Sequence, residues 1–467
     1  MNEEIKKIFK KYSVKEIGHQ HSSDAFTQLS IQIQGDQRQS LVFYRITEAA
    51  GAKERFLERA AKTNASAIVI NRPCEVPPEY KGNVFLSSDQ NWIELQNALC
   101  DHFYPRVSGQ KLIGITGTNG KTTTVNLVRD MLWESGVATC SVGTIGIQGR
   151  DGVVKEDLSI TTPSFIDIRR VLWQYREEFT TFVFEVSSHA LDQDRFHHLT
   201  FESAAWTNLT QDHLDYHKTF EAYGAAKAKL AKISDEFFVL ENHSEVCRTL
   251  EKLKIHYKKL EIESRPEDCP PFFKLAHNWE NYLLAKACAG SLLGHKITTN
   301  WGSLHPPRGR FETIEWNERL IVIDYAHTPD ALAKILESTK MSFPKRNLIC
   351  IFGAGGDRDP TKRPIMGKVA SEYADQLIIT SDNPRSEEPQ LIIDQIVAGI
   401  VLKAKIGHAL ADRKEAIEKC LSDSTEGDII VIAGKGHETY QDVKGVKHPF
   451  DDKKVVLDFI QSHPGAL

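Results

Sequence analysis

The sequence has no pair of cysteines at CxxC spacing: its eight cysteines are scattered at 74, 100, 140, 247, 269, 288, 350 and 420. That argues against a disulfide framework and a zinc site, and for buried thiols in a reducing cytoplasm. No apolar run is long enough to span a bilayer, and mean hydropathy is −0.35. The segment Met1–Lys11 is charged and lacks the apolar stretch of a signal peptide. A cytoplasmic protein without membrane insertion is therefore expected. Nor is there an excess of one charge. With 58 basic and 63 acidic residues the net charge is −5, which excludes a polycation and leaves no nucleic-acid partner without a local basic face. A 41% hydrophobic, 26% charged composition argues against disordered and fibrous chains. There is no solenoid repeat and no low-complexity tract.

The 467 residues suggest about three domains at ~150 residues each. In the first, Ala67–Asn71 reads as a buried strand, Leu41–Tyr44 as another, and Ala49–Thr63 as a helix. Pro105 and Gly109 mark a linker. From Lys111 onward strands alternate with helices: Lys111–Thr116, Thr181–Val186, Ala204–Asn208 and Glu236–Leu240 are the strands. After a second boundary at Trp301–Arg310 the pattern resumes with Leu320–Asp324, Leu348–Phe352, Gln376–Thr380 and Asp428–Ala433. Such alternation implies parallel pairing and right-handed crossovers. The expected architecture is α/β with three domains. A small divergent N-terminal α/β domain (1–106) precedes a central P-loop parallel sheet (107–305) and a Rossmann-like C-terminal domain (306–467).

Gly117-Thr118-Asn119-Gly120-Lys121-Thr122 follows a strand and opens a helix, the setting of a phosphate-binding loop. Small residues let backbone amides close on an anion, and the helix N-terminus adds partial positive charge. Lys121 can reach the β/γ-phosphates, and the hydroxyl of Thr122 or Thr123 can hold Mg²⁺. The strict GxxxxGK[ST] spacing fails, because Ile115 stands where its first glycine would be.

Three further segments are dense in polar groups: Glu185-Val-Ser-Ser-His189 at a strand end, Asp212-His-Leu-Asp-Tyr-His217, and the lysines Lys227 and Lys229 of one helix. Singly, each reads as a hydrogen-bonded structural residue or a solvated helix face. Together, downstream of a phosphate loop, an acid and an imidazole at strand ends can bind Mg²⁺ beside a triphosphate.

From GITGTNGKTTT to AGKGHE the motifs succeed one another in order. They include TTP (161–163), EVSSHALDQDR (185–195), TNLTQDHLDYH (207–217), YGAAK (223–227), HN (277–278), GRFE (309–312), DYAHTPDAL (324–332), GAGGDRDPTKRP (353–364) and DNPR (382–385). Over roughly residues 107–450 they resemble the Mur ligase family. The resemblance implies an ATP-dependent amide-bond ligase of peptidoglycan synthesis. ATP would phosphorylate the terminal carboxylate of UDP-MurNAc-L-Ala-D-Glu, and an amino acid's amine would displace phosphate from the acyl phosphate. It implies Mg²⁺ at two sites and CO₂ carried as a carbamate on Lys227. That chemistry needs a neutral amine, hence a lowered lysine pKa. Glu185 matches the acid near one metal and His213 a ligand of the other. Gly117 to Thr123 match the ATP phosphate loop. Asn278 matches an adenine contact, Arg310 a phosphate contact and Asp324 a ribose contact. Thr161, Thr162, Ser187, Gln193 and Arg195 match contacts to the UDP-substrate, although Ile160 stands where an Asn is usual. Lys229 is the competing lysine, out of register with Tyr223. A mostly monomeric state follows by analogy with the family.

The last motifs bear on the acceptor. Asp382, Asn383, Pro384 and Arg385 follow a strand, with Arg358, Gly434 and Glu438 matching further amino-acid contacts. meso-Diaminopimelate differs from L-lysine by a distal carboxylate, which an arginine fork suits. In lysine-adding members of the family the arginine position usually differs, so the resemblance implies diaminopimelate for DNPR, with Glu438 able to hold the distal amine. The N-terminal region departs from the family: Asp36-Gln37-Arg38 replaces a DSR turn and no Pro-Gly-Asp follows, so no uridine contact is carried over. Alternatives remain: an L-lysine-adding or other Mur-like ligase, a folylpolyglutamate synthetase, a phosphotransferase yielding a stable phosphate ester, and a non-catalytic Mur-like binding protein.

Overall fold

The computed structural model describes residues 2–18, 26–156 and 160–463. It divides into two compact units, Met1–Glu261 with Leu284–Thr298, and Ile262–Leu283 with Thr299–Leu467.

The first unit contains two sheets. A five-stranded sheet runs in the order Lys15–Glu16, Asn83–Leu86, Ala67–Ile70, Ser40–Tyr44 and Gln28–Ser30, parallel except for the first pairing. Its central strands are apolar at consecutive positions because both faces are covered. Leu41, Phe43 and Val69 pack with Ile5, Phe9, Leu95 and Leu99 on one side. Val42, Ile68 and Ile70 pack with Phe56 and Ala60 on the other. Helix Ala52–Ala60 supplies the latter residues and helix Trp92–Phe103 the former leucines. Arg169 of helix Phe165–Gln174 is buried and donates to Asp101 (2.8 Å) and to the carbonyl of Tyr104 (2.9 Å), joining this layer to the next.

The eight-stranded sheet has the order Lys258–Leu260, Ser234–Leu240, Phe201–Trp206, Lys111–Thr116, Thr181–Glu185, Thr139–Gly143, Gly146–Gln148 and Val154–Glu156. The first six strands pair in parallel, so Lys111–Thr116, Thr181–Glu185 and Phe201–Trp206 deliver their carboxyl ends side by side. In open α/β sheets ligands bind at that edge.

In the second unit six strands run Glu312–Trp316, Arg319–Asp324, Ile429–Ala433, Leu348–Phe352, Gln376–Thr380 and Ile406–Leu410. A hairpin, Tyr440–Val443 with Val446–Pro449, follows. The core alternates Ile321, Ile323, Ile349, Ile351, Ile430 and Ile432 against Ala416, Ile417, Leu421 and Val456.

The expected strands are all present. They pair in parallel as expected; strands outside that set add antiparallel edges, Gly146–Gln148 and then Val154–Glu156 beside Thr139–Gly143, and Glu312–Trp316 beside Arg319–Asp324. Short loops decide this, since parallel crossovers need far more chain. Asn317 and Glu318 both have positive φ (43° and 60°), the conformation of a two-residue hairpin turn. An Asn-Glu pair carries little sequence signal for it. No helix among the described residues is long and apolar enough to cross a membrane.

Candidate active site

The phosphate loop is shaped by two glycines. Gly117 has φ 150°, and a Cβ there would lie 1.9 Å from Thr207 Oγ1. Gly120 has φ 85° and caps helix Lys121–Glu134 without any side-chain acceptor, which leaves first-turn amides for an anion. The loop is braced by the next strand's end. Thr207 Oγ1 donates to the Asn119 carbonyl (2.5 Å), and Asn119 N donates to Asn208 Oδ1 (2.9 Å). Thr118 Oγ1 lies 3.2 Å from the hydroxyl of Tyr223.

Two lysines converge on one oxygen of this loop. Lys121 Nζ donates to the Gly117 carbonyl (2.9 Å) and to the Thr118 carbonyl (3.0 Å). Lys227 Nζ, on helix Phe220–Lys232, donates to the same Gly117 carbonyl at 2.8 Å. Lys227 is 1% exposed, and its nitrogen stands 4.7 Å from the Tyr223 ring centre. Burial drives its pKa well below the usual lysine range; the charge of Lys121 pushes the same way and Asp212 opposes. Burial also lowers Lys121, against Glu185 and Asp212. Lys229, two residues further along the helix, is exposed and pairs with Asp192 at 3.0 Å. The two lysines thus point into different surroundings, and Lys227 is the one in the site.

Glu185 ends its strand 1% exposed. Its carboxylate accepts from Thr144 N (2.9 Å) and Thr144 Oγ1 (3.3 Å), and the Thr122 hydroxyl also bonds to it. Burial raises its pKa while Lys121 and these donors work against that rise. A Cβ on Gly143 would fall 2.2 Å from Glu185 Oε1, so only glycine leaves room for the carboxylate. An acid beside a threonine hydroxyl is an oxygen donor set that suits Mg²⁺. His213, at φ 51°, is exposed; its Nε2 is 3.4 Å from Asp212 Oδ2 and its ring 4.9 Å from that of His189.

The residues matched to the UDP-substrate form one network. Thr162 Oγ1 donates to the Glu185 carbonyl (2.8 Å) and accepts from Ser187 N (3.0 Å). Arg195 Nη1 donates to the Thr162 carbonyl (2.5 Å), and its Nη2 to Gln193 Oε1 (2.8 Å). Thr161 Oγ1 accepts from Thr144 Oγ1 at 3.2 Å.

In the second unit, Asn278 is buried, its Nδ2 donating to the Phe272 carbonyl at 3.1 Å. Asp324 accepts from Phe311 N (2.8 Å) and Ala326 N (2.9 Å), and burial raises its pKa. Arg310 is exposed, 5.3 Å from the Tyr325 ring centre. Gly309 packs so tightly on Gly436 and His437 that a Cβ would sit 2.3 Å from His437 N.

The acceptor residues converge. A cavity of about 510 Å³ is lined by Arg358, Asp382, Asn383, Arg385, Gly434 and Glu438, together with Tyr325, His327, Lys362 and Arg363. Pro384 alone of the expected set does not line it. Arg385, at φ 49°, has one guanidinium nitrogen on the Gly356 carbonyl (2.5 Å), and Pro384 O would lie 1.9 Å from a Cβ on Gly356. Asn383 Nδ2 donates to Glu438 Oε2 at 2.9 Å. Sequence reasoning missed three supports. Lys435, fully buried, donates to Asn383 Oδ1 (3.1 Å) and Glu438 Oε2 (3.2 Å). Arg363 holds Glu387 through both terminal nitrogens at 2.7 and 2.8 Å. Thr144 holds Glu185. Lys435 lies within AGKGHE and Arg363 within GAGGDRDPTKRP, which were the available signals, whereas Thr144 lies in none of the motifs.

The chain belongs to the Mur ligase family. Residues 115–268 match the Mur ligase middle domain, and residues 309–436 the Mur ligase, glutamate ligase domain. Among its relatives is the UDP-N-acetylmuramoyl-L-alanyl-D-glutamate--2,6-diaminopimelate ligase of Aquifex aeolicus, 36% identical over 91% of both chains. The enzyme of the same name from Geobacillus kaustophilus is 38% identical over 86% of this chain and 88% of its own. A solved structure bearing that name superposes with a TM-score of 0.64 at 28% identity, covering 97% of this chain and 98% of the other.

Proposed function

We propose that this protein is an ATP-dependent ligase that adds meso-diaminopimelate to UDP-MurNAc-L-Ala-D-Glu in peptidoglycan synthesis. The observation that carries the acceptor assignment is the charge pattern of the second unit's cavity, where Arg358 and Arg385 face the same space as Asp382 and Glu438. Diaminopimelate has a carboxylate and an ammonium at each end, and such a cavity can meet both signs.

The substrate's carboxylate attacks the γ-phosphate, and ADP leaves an acyl phosphate. The acceptor's amine then attacks the acyl carbon, phosphate departs and an amide remains. Lys121 and the amides of residues 117–121 bind and orient the phosphates. Thr122 and Glu185 would hold one Mg²⁺, and His213 with a carbamate on Lys227 a second. When bound, Mg²⁺ neutralises charge on the phosphoryl oxygens. The support for the carbamate is physical: two ammonium groups on one carbonyl oxygen repel, burial favours the neutral amine that reacts with CO₂, and the Lys121 cation beside it favours an anion over a second cation. Thr161, Thr162, Ser187, Gln193 and Arg195 would position the muramoyl dipeptide. Asn278, Arg310 and Asp324 would contact the adenosine and phosphate of ATP, and Asn383 with Pro384 and Gly434 would shape the acceptor cavity. The five-, eight- and six-stranded sheets fall one in each of the proposed domains, 1–106, 107–305 and 306–467. A monomer in the cytoplasm fits the reading.

The test is an acceptor screen with UDP-MurNAc-L-Ala-D-Glu and ATP, read by phosphate release. Release that depends on diaminopimelate and is weak with L-lysine is expected. Equal or greater release with L-lysine overturns the acceptor assignment, and release without any acceptor overturns the ligase.

A further inference from the structure

Outside the residues assigned above, three metal-ligating side chains meet. Glu94, His197 and His198 each offer one ligand atom, all within 4.8 Å of one another. Glu94 sits in the first turn of helix Trp92–Phe103, and the two histidines in the segment ahead of strand Phe201–Trp206. Glu94 Oε1 is 2.8 Å from His197 Nε2 and 3.4 Å from His198 Nε2. A tetrahedral ion with bonds of about 2.0–2.1 Å holds neighbouring ligand atoms roughly 3.3 Å apart; the two Glu94 spacings lie within about 0.5 Å of that, and the two imidazole nitrogens lie within 4.8 Å of each other.

Each ring nitrogen of His197 faces a carboxylate: Nε2 faces Glu94, and Nδ1 lies 2.7 Å from Asp194 Oδ2. A neutral imidazole has one N–H and satisfies one such contact. The other calls for a cation, either a second proton or a metal. With metal at Nε2, the Nδ1–H to Asp194 bond becomes the carboxylate support that metal-bound histidines commonly have. The backbone aims these groups: Asp194 and His198 have φ of 52° and 57°, and Arg106 donates to the His198 carbonyl at 2.9 Å.

We propose that Glu94, His197 and His198 form a binding site for a first-row divalent metal, Zn²⁺ matching best, that clamps helix Trp92–Phe103 to the turn carrying Gln193 and Arg195. Two imidazoles and one carboxylate are a donor set of zinc type, whereas Mg²⁺ prefers oxygen alone. His197 is 18% and His198 49% exposed, so water can reach a fourth position from the His198 side. No cysteine takes part, so cysteine spacing could not reveal the site.

The full-length protein, stripped with chelator, is titrated with Zn²⁺ and with Co²⁺ as a spectroscopic probe, in excess Mg²⁺ to fill all-oxygen sites. One equivalent should bind, and Zn²⁺ should raise the thermal midpoint. Glu94→Gln and His198→Asn should each weaken binding at least tenfold and remove the thermal shift; Asn tolerates the left-handed backbone at 198. Asp194→Asn should weaken binding about tenfold through His197. His213→Asn should keep the site, which separates it from the imidazoles around Lys227. Wild type that binds no Zn²⁺ at about 100 µM overturns the proposal. So does binding that survives Glu94→Gln and His198→Asn, or that His213→Asn abolishes.

Discussion

Lys227 and Lys229 lie two positions apart on one helix, yet one is buried on the phosphate loop and the other salt-bridged in solvent. At 3.6 residues per turn, two positions rotate a side chain by about 200°. Lys227→Ala should abolish ligation, with partial rescue by short carboxylic acids that replace the carbamate; Lys229→Ala should stay within a few-fold of wild type in the same assay. Burial lowers the Lys227 pKa. Its neutral form, the one that attacks CO₂, therefore persists at pH values where an exposed lysine is protonated. As pH falls through that lowered value the carbamate should be lost, so activity should drop on the acid side and recover in part with added bicarbonate. A rate–pH profile that bicarbonate leaves unmoved contradicts the carbamate. Lys121→Ala should nearly abolish turnover, because on the proposed reading its ammonium, held on the Gly117 carbonyl, would neutralise charge at the transferring phosphoryl group.

At the scale of elements, the strand ends and the loops they launch decide function. Gly143 closes one strand against Glu185, and Gly356 packs on Pro384 O. Gly143→Ala should lower kcat by displacing Glu185 while leaving the diaminopimelate KM nearly unchanged. Gly356→Ala should do the reverse, because it pushes away the loop that presents Arg385. On the proposed reading Arg385→Ala would remove the cation facing the acceptor's distal carboxylate, a partly desolvated pair worth roughly 2–5 kcal/mol, and should raise the diaminopimelate KM strongly without altering ATP binding. One Arg385 nitrogen already serves Gly356. Part of any loss should therefore be positional, and Arg385→Lys should restore little. Steady-state kinetics separate these patterns.

At the scale of the molecule, two compact units make a single unfolding transition improper to assume. In the second unit Arg413 and Asp452 form a wholly buried pair through two 2.8 Å bonds. Arg413 also donates to the carbonyls of Ser381 and Ala433, the ends of the strands that precede the acceptor loops. Arg413→Met leaves Asp452 buried and unpaired, a loss of about 3–5 kcal/mol. Chemical denaturation followed by fluorescence should show the transition of the second unit shifted and that of the first in place. A uniform shift of the whole curve would falsify their independence.

The sequence by itself determined the strands at 111–116, 348–352 and 376–380 to the residue, because buried parallel strands read as unbroken apolar runs bounded by glycine and polar turns. It also singled out motif residues at strand ends that the structure gathers around the Gly117–Lys121 loop and around one cavity of the second unit, since local chemistry demands particular side chains there. Only the tertiary structure decided which edges pair antiparallel, that Thr144 holds Glu185 and Lys435 holds Asn383 and Glu438, and that Glu94 meets a histidine pair about a hundred positions away. Those contacts are long-range, and each lone residue is compatible with a solvated surface. Chain folding alone supplies the partner that gives it a role.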